Sequence, residues 1–215
     1  MYIPPLYVKT NINLVIINIF KETFMKNEND LSNYITKMAL DAGAILVGFT
    51  KIRVVDPVII YGFPFTDKWF LKQPLNIAKL LQKEYSISKH VQDTTYKILK
   101  SEGYSCQHKN IMSIYGDFRP LAVSAGLGQW GRNGIVVNSD YGAGLLFAAT
   151  FTNAPLEQSF IKESTKHCTN CDRCISVCPA KAFENNTFHA YRCIQHTIRG
   201  CSECLKSCKK SQCQN

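Results

Sequence analysis

The residues with the most chemistry in this 215-residue sequence are its ten cysteines. Nine of them (168, 171, 174, 178, 193, 201, 204, 208 and 213) fall in the last 48 residues, and Cys106 stands alone. His167-Cys-Thr-Asn-Cys-Asp-Arg-Cys-Ile-Ser-Val-Cys-Pro179 reads C-x2-C-x2-C-x3-C-P. A [4Fe–4S] cubane offers four irons at tetrahedral corners, and each needs one thiolate. Three thiolates three residues apart wrap one loop around one face of a cubane and leave its fourth corner to a distant Cys. Structural zinc uses four ligands, usually as two separated pairs, and that pattern is absent here.

A second run supplies the distant Cys. Cys193, Cys201, Cys204 and Cys208 form C-x7-C-x2-C-x3-C, the same run with its first gap lengthened. In the bacterial ferredoxin run the fourth Cys ligates the other cluster, and Pro179 turns the chain away after Cys178. Crossing the two runs expects Cys168, Cys171, Cys174 and Cys208 on cluster 1, and Cys178, Cys193, Cys201 and Cys204 on cluster 2. Two neighbouring clusters imply electron transfer between them. Cys213 reads as a spare thiol and Cys106 as a small core hydrophobe. His167, His189 and His196 read as solvated or packed, since the thiolates suffice.

The elements that must position this chemistry come earlier in the chain. Hydrophobic residues make up 46% and charged residues 19%, enough apolar content for a core and too much for a disordered chain. The strongest apolar run, Ile12–Phe20, is 9 residues and contains Asn13 and Asn18, well short of the ~18 residues a membrane span needs. Residues 1–25 look detached, with an alternative start at Met25. Lys21-Glu22-Thr23-Phe24 stands where a signal-peptide cleavage site belongs, so the thiols are expected to be reduced and the protein cytoplasmic. Leu31, Tyr34, Ile35, Met38 and Ala39 recur at helical spacing, with Asp30 as a cap and Gly43 as a stop. Residues 44–49 and 58–61 read as strands of a sheet covered on both faces. Residues 74–102 read as a long helix with a candidate break near Ser86–Ser88, and 134–137 and 145–151 as further strands.

Net charge is +9. Residues 161–215 hold nine Lys/Arg against four Asp/Glu. A basic tail admits a nucleic-acid partner, but it also offsets the charge of about −2 on each four-thiolate cubane, and the second reading is favoured.

A glycine-rich segment is the other informative stretch: Ser124-Ala-Gly-Leu-Gly-Gln-Trp-Gly-Arg-Asn-Gly134, then Tyr141-Gly-Ala-Gly144. Gly126 to Gly131 fits G-x-G-x-x-G, but a helix end precedes it and a strand follows, the reverse of a dinucleotide-binding turn. AGLGQWGRNG, the following YG, Thr152–Leu156 (TNAPL) and the double Cys run together resemble the epoxyqueuosine reductase and reductive dehalogenase group. The resemblance implies an α+β chain: a nitroreductase-like α/β domain over 26–160, then a small bacterial-ferredoxin-like two-cluster domain over 161–215. It implies a corrinoid, cobalamin, held by the residues matching the group's motif: Gly126, Leu127, Gly128, Gly131, Arg132, Asn133 and Tyr141. The reductases' D-T-G-P-V segment has no match in Tyr115-Gly-Asp-Phe-Arg-Pro120, so their proton-donor role is not carried to Asp117. They also continue into a helical-repeat domain associated with tRNA, whereas this sequence stops seven residues after Cys208, so a shortened relative is expected, with tRNA a weaker partner than a redox protein.

Two functions follow. One is an iron–sulfur reductase passing electrons from its clusters to a corrinoid or substrate in the α/β domain. The other is an electron carrier or corrinoid-protein activator with no substrate of its own. The first is preferred, because a bare carrier has no need of so large an α/β domain.

Overall fold

In the computed structural model, residues 28–52, 56–64, 82–111, 117–159, 168, 171–184, 187–199 and 201–208 are described. The N-terminal extension, the first part of the expected 74–102 helix, His167 and Cys213 lie outside them.

The sheet is four-stranded and wholly antiparallel. Its strands are β1 (Leu46–Ile52), β2 (Asp56–Pro64), β3 (Cys106–Lys109) and one spanning Leu145–Thr152, with β1 and β3 at the edges. The central β2 is buried from Pro57 to Phe63. Its side chains alternate between two apolar clusters, as a period of two demands. Ile59, Tyr61 and Phe63 face Leu31, Ile35 and Ala39 of α1 (Glu28–Asp41) and Val91, Ile98 and Leu99 of α2 (Gln82–Ser101). Val58 and Ile60 face the other way, toward Ala122, Leu127 and Val136. This is the two-sided cover read from the apolar runs, achieved here with an antiparallel sheet.

On the helix face the buried polar groups satisfy one another. Tyr61 Oη donates to Thr95 Oγ1 at 3.0 Å and lies 3.3 Å from Thr150 Oγ1, while burial pushes its phenol up. Gln92 Nε2 reaches the Ala149 carbonyl at 3.0 Å, fastening α2 to the sheet.

Four sequence expectations shift. The first strand begins at Leu46 rather than Ala44, because Gly43 and Ala44 close α1 with hydrogen bonds to Leu40 and Ala39. α2 does not break at Ser86–Ser88: Ser86 and Ser88 hydroxyls donate to the carbonyls of Gln82 and Tyr85, so neither competes with the helix. The strand expected over 134–137 is confined to Val136–Val137. The edge strand β3 was not foreseen, since Cys-Gln-His-Lys has no apolar alternation. Cys106 itself is half-buried against the helix-side core.

Candidate metal centre

The glycine segment begins as the end of α3 (Arg119–Ser124), with Pro120 in its first turn. Gly126, at φ +74°, terminates that helix, and Leu127 N–H returns to the Ala122 carbonyl at 2.9 Å. Leu127 is thereby buried in the sheet-side core. The chain then forms a small hairpin, β4 (Gln129–Trp130) against β5 (Val136–Val137). Its tip, residues 131–135, is closed by Gly131 N–H to the Ile135 carbonyl at 2.8 Å. Gly128 is a point of close approach: a Cβ there would lie 2.7 Å from the Val137 carbonyl oxygen. Leu145–Thr152, the strand that follows, is β6.

The hairpin tip meets the cysteine-rich segment. Arg132 Nη1 pairs with the Asp172 carboxylate. Asp172 sits between Cys171 and Cys174 in the left-handed region, at φ 55°, and opens the short helix α4 (Arg173–Ser176). Beside that pair the two parts of the chain enclose one cleft of about 380 Å³, including the solvent at its mouth. The hairpin contributes Gly131, Arg132, Asn133 and Val137 to its lining. The other wall is Cys168, Cys171 and Cys174, with Ser207 and Cys208 at the end of the helix Glu203–Ser207, which packs on α4.

Cys174 is buried, and burial followed by the neighbouring Cys168 and Cys171 thiols pushes its own thiol up. Cys193, Cys201 and Cys204 form a second group. Cys204 is pushed up to about 11 by burial first, then by Cys193 and Cys201, and also by Cys174 of the first group. The helices that carry Cys174 and Cys204, Arg173–Ser176 and Glu203–Ser207, pack on each other. Cys193 Sγ lies 3.4 Å from Thr197 Oγ1, and Cys178 Sγ accepts the Ala182 N–H at 3.4 Å.

Among the described residues no three His, Cys, Asp or Glu side chains converge on a point that could hold a single metal ion. A cubane does not need convergence, since its thiolates attach to separate corners. All nine described cysteines are free thiols, and four of them, Cys168, Cys171, Cys174 and Cys208, line the one cleft. Buried thiols with raised proton affinity need a compensating cation in order to ionise, and thiolate-bound iron supplies one. The buried Asn133 side chain on the same cleft leaves Nδ2 without a protein partner. On all three grounds the residues present fit an iron–sulfur cluster.

The residues read for a corrinoid are differently placed. Gly126 caps α3, the Leu127 side chain is in the core, and Gly128 lies against β5. Gly131, Arg132 and Asn133 line the cysteine cleft. Tyr141 is 42% exposed, in a turn that Asn138 ties to the Leu127 carbonyl at 2.8 Å. Asp117 is gripped by Arg119, whose Nε and Nη2 donate to its carboxylate at 2.8 and 2.7 Å. Those hydrogen bonds hold its carboxyl below the usual range, which is wrong for a proton donor at neutral pH. Two residues of the site escaped the sequence reading, Asp172 and Asn138. Each works through a partner distant in the chain or through a turn, and an Asp at a helix start is too common to single out Asp172.

No family model matches the chain. An epoxyqueuosine reductase from Cyclobacterium marinum is 26% identical over 212 residues, covering 91% of this chain and 66% of its own length. One from Synechocystis sp. is 36% identical over 86 residues, covering 39% and 29% respectively. A solved epoxyqueuosine reductase bound to an epoxyqueuosine-modified tRNA stem loop superposes with a TM-score of 0.67 at 15% identity, over 86% of this chain and 66% of that one. A reductive dehalogenase, from work on B12-dependent dehalogenation, gives 0.69 at 14% identity, over 86% and 32%. The α+β fold is thus the one these two kinds of protein share. In sequence the chain resembles the epoxyqueuosine reductase and reductive dehalogenase group, and it spans no more than about two thirds of these relatives' lengths.

Proposed function

We propose that this chain is an iron–sulfur reductase of the epoxyqueuosine reductase and reductive dehalogenase type, with its α/β domain over 26–160 and a two-cluster domain over 161–215. The observation that carries the reading is the cleft where Cys168, Cys171, Cys174 and Cys208 meet the glycine-rich hairpin tip. Those four cysteines hold one [4Fe–4S] cluster, and Cys178, Cys193, Cys201 and Cys204 hold the other. When bound, such clusters relay single electrons, and a corrinoid delivers them to a carbon–heteroatom bond.

The chain's own residues do the positioning. Arg132, through Asp172, pins the hairpin tip to the first cysteine loop and keeps Gly131 and Asn133 at the cluster wall. The helices carrying Cys174 and Cys204 pack on each other, which supports transfer between the two groups. Electrons come from a redox partner protein in the cytoplasm, where the thiols stay reduced. Among the described residues no helix is long and apolar enough to cross a membrane. tRNA enters this reading through the similar structure that holds a tRNA stem loop, and the net charge of +9 has the sign such a partner needs. The meeting of the hairpin with the cysteine cleft favours a reductase over a carrier, since a carrier has no use for a second lobe at its cluster.

The test is iron, sulfide and cobalt analysis of protein prepared without oxygen, and of two variants. Cys174→Ala and Cys178→Ala should each lose the iron of one cubane. Iron-free or zinc-only protein would overturn the cluster reading. Protein with full iron that neither carries cobalamin nor shifts its absorption on titration would overturn the corrinoid part alone. Either variant keeping the full iron content and an unchanged spectrum would overturn the ligand grouping.

A further inference from the structure

We propose that the side-chain amide of Asn133 donates a hydrogen bond to the cluster held by Cys168, Cys171, Cys174 and Cys208, and so raises that cluster's reduction potential. The inference rests on the cluster reading above. Asn133 is 4% exposed. Its Oδ1 accepts the Ile135 N–H at 3.2 Å and is turned toward Gly131, where a Cβ would come within 2.7 Å of it. With the oxygen committed to the hairpin, Nδ2 and its two N–H groups are left to the cleft, where they find no protein acceptor. Flipping the amide would set Nδ2 against the Ile135 N–H, donor to donor, so the orientation is dictated by the turn.

A buried amide donor without an acceptor forfeits its hydration with no return, and proteins rarely leave one so. The cleft that Asn133 lines is also lined by Cys168, Cys171, Cys174 and Cys208, together with Asp172, Arg173 and Ser207. A four-thiolate cubane carries a charge of about −2, and reduction makes it more negative. An N–H···S hydrogen bond therefore stabilises the reduced state more than the oxidised one. Arg132, the cation on the same wall, is already paired with Asp172. Asn133 is thus a positioning residue of the hairpin through Oδ1 and a tuning residue of the cluster through Nδ2.

The experiment uses the full chain, purified anaerobically with its iron and labelled with 15N in asparagine side-chain amides. Pulsed electron paramagnetic resonance of the reduced protein should show a 15N coupling, and the Asn133→Ala variant should lack it. A redox titration of that variant should show one of two midpoints lowered by at least tenfold in the reduction equilibrium, which is about 59 mV for one electron, with the other unmoved. Iron-replete wild-type protein without the 15N coupling would overturn this inference while leaving the clusters standing, as would a variant with unchanged midpoints. Protein without iron would overturn the cluster reading itself. If Asn133→Ala fails to hold its cluster, the coupling in labelled Asn170→Ala protein decides, since Asn170 lies between Cys168 and Cys171 in the sequence and carries the same label: a retained coupling supports the inference, and its loss overturns it.

Discussion

Replacing Gly128 by Ala tests whether the glycine segment is built for close approach within its own chain. A Cβ at this position would sit 2.7 Å from Val136 Cγ1, 2.7 Å from the Val137 carbonyl oxygen and 3.2 Å from its carbonyl carbon. Non-bonded carbon contacts settle near 3.5–4.0 Å, so each approach is too short by roughly 0.3 Å or more. The Val136 methyl could turn aside, but the Val137 carbonyl is backbone and belongs to a strand paired with β4. The hairpin must therefore shift as a unit, at a cost of about 1–3 kcal/mol for overpacking. In a chain of this size 1 kcal/mol moves Tm by about 2–4 °C, so the midpoint should fall by roughly 2–12 °C. Circular dichroism melting of anaerobically prepared wild type and variant, at one protein concentration and scan rate, reads the shift. Adding Val136→Ala removes one of the two obstructions, so the double variant should be more stable than the sum of the singles, by at least about 0.5 kcal/mol. A Gly128→Ala protein melting with the wild type would refute the reasoning, because the segment would then have room for a side chain it is argued to exclude.

Asp172, at φ 55°, should tolerate Gly better than Ala, with Asp172→Ala less stable than Asp172→Gly by about 1 kcal/mol or more in urea unfolding. Both lose the Arg132 pair, whose exposed geometry limits it to about 1 kcal/mol or less, so equal stabilities would contradict the left-handed assignment. Asp117 is held below its ordinary value near 3.9 by Arg119. A depressed carboxyl adds stability that is complete above about pH 3.9 and lost as pH falls through the folded-state value. Arg119→Met should move the Asp117 carboxyl resonance back up in a carbon NMR titration, and an unmoved titration would refute the grip described here.

The division between what could be read in the chain and what folding added follows from the range of each interaction. Cysteine spacing is local chemistry: C-x2-C-x2-C holds three thiols in one loop whatever surrounds it, and Cys168, Cys171 and Cys174 line one wall of the cleft. The core helices were legible for the same reason, since Leu31, Ile35 and Ala39 share a helix face by spacing alone. The two-sided burial of Val58–Tyr61 followed from an unbroken apolar run, although strand direction did not, because antiparallel and parallel strands covered on both faces read alike. The edge strand Cys106–Lys109 depends on pairing with β6, 40 to 46 residues away, and has no pattern of its own. Motif resemblance named Gly126–Asn133 as one functional string, but tertiary packing divides it. Its first half is taken up by helix capping and core, and its second half reaches the cysteines. What joins them is Arg132 to Asp172, forty residues apart, and the orientation of the Asn133 amide depends on a turn closed by Ile135. Ligand identity can be read from residue type and short spacing, whereas the wall around the ligand is assembled from contacts that exist only once the chain has folded.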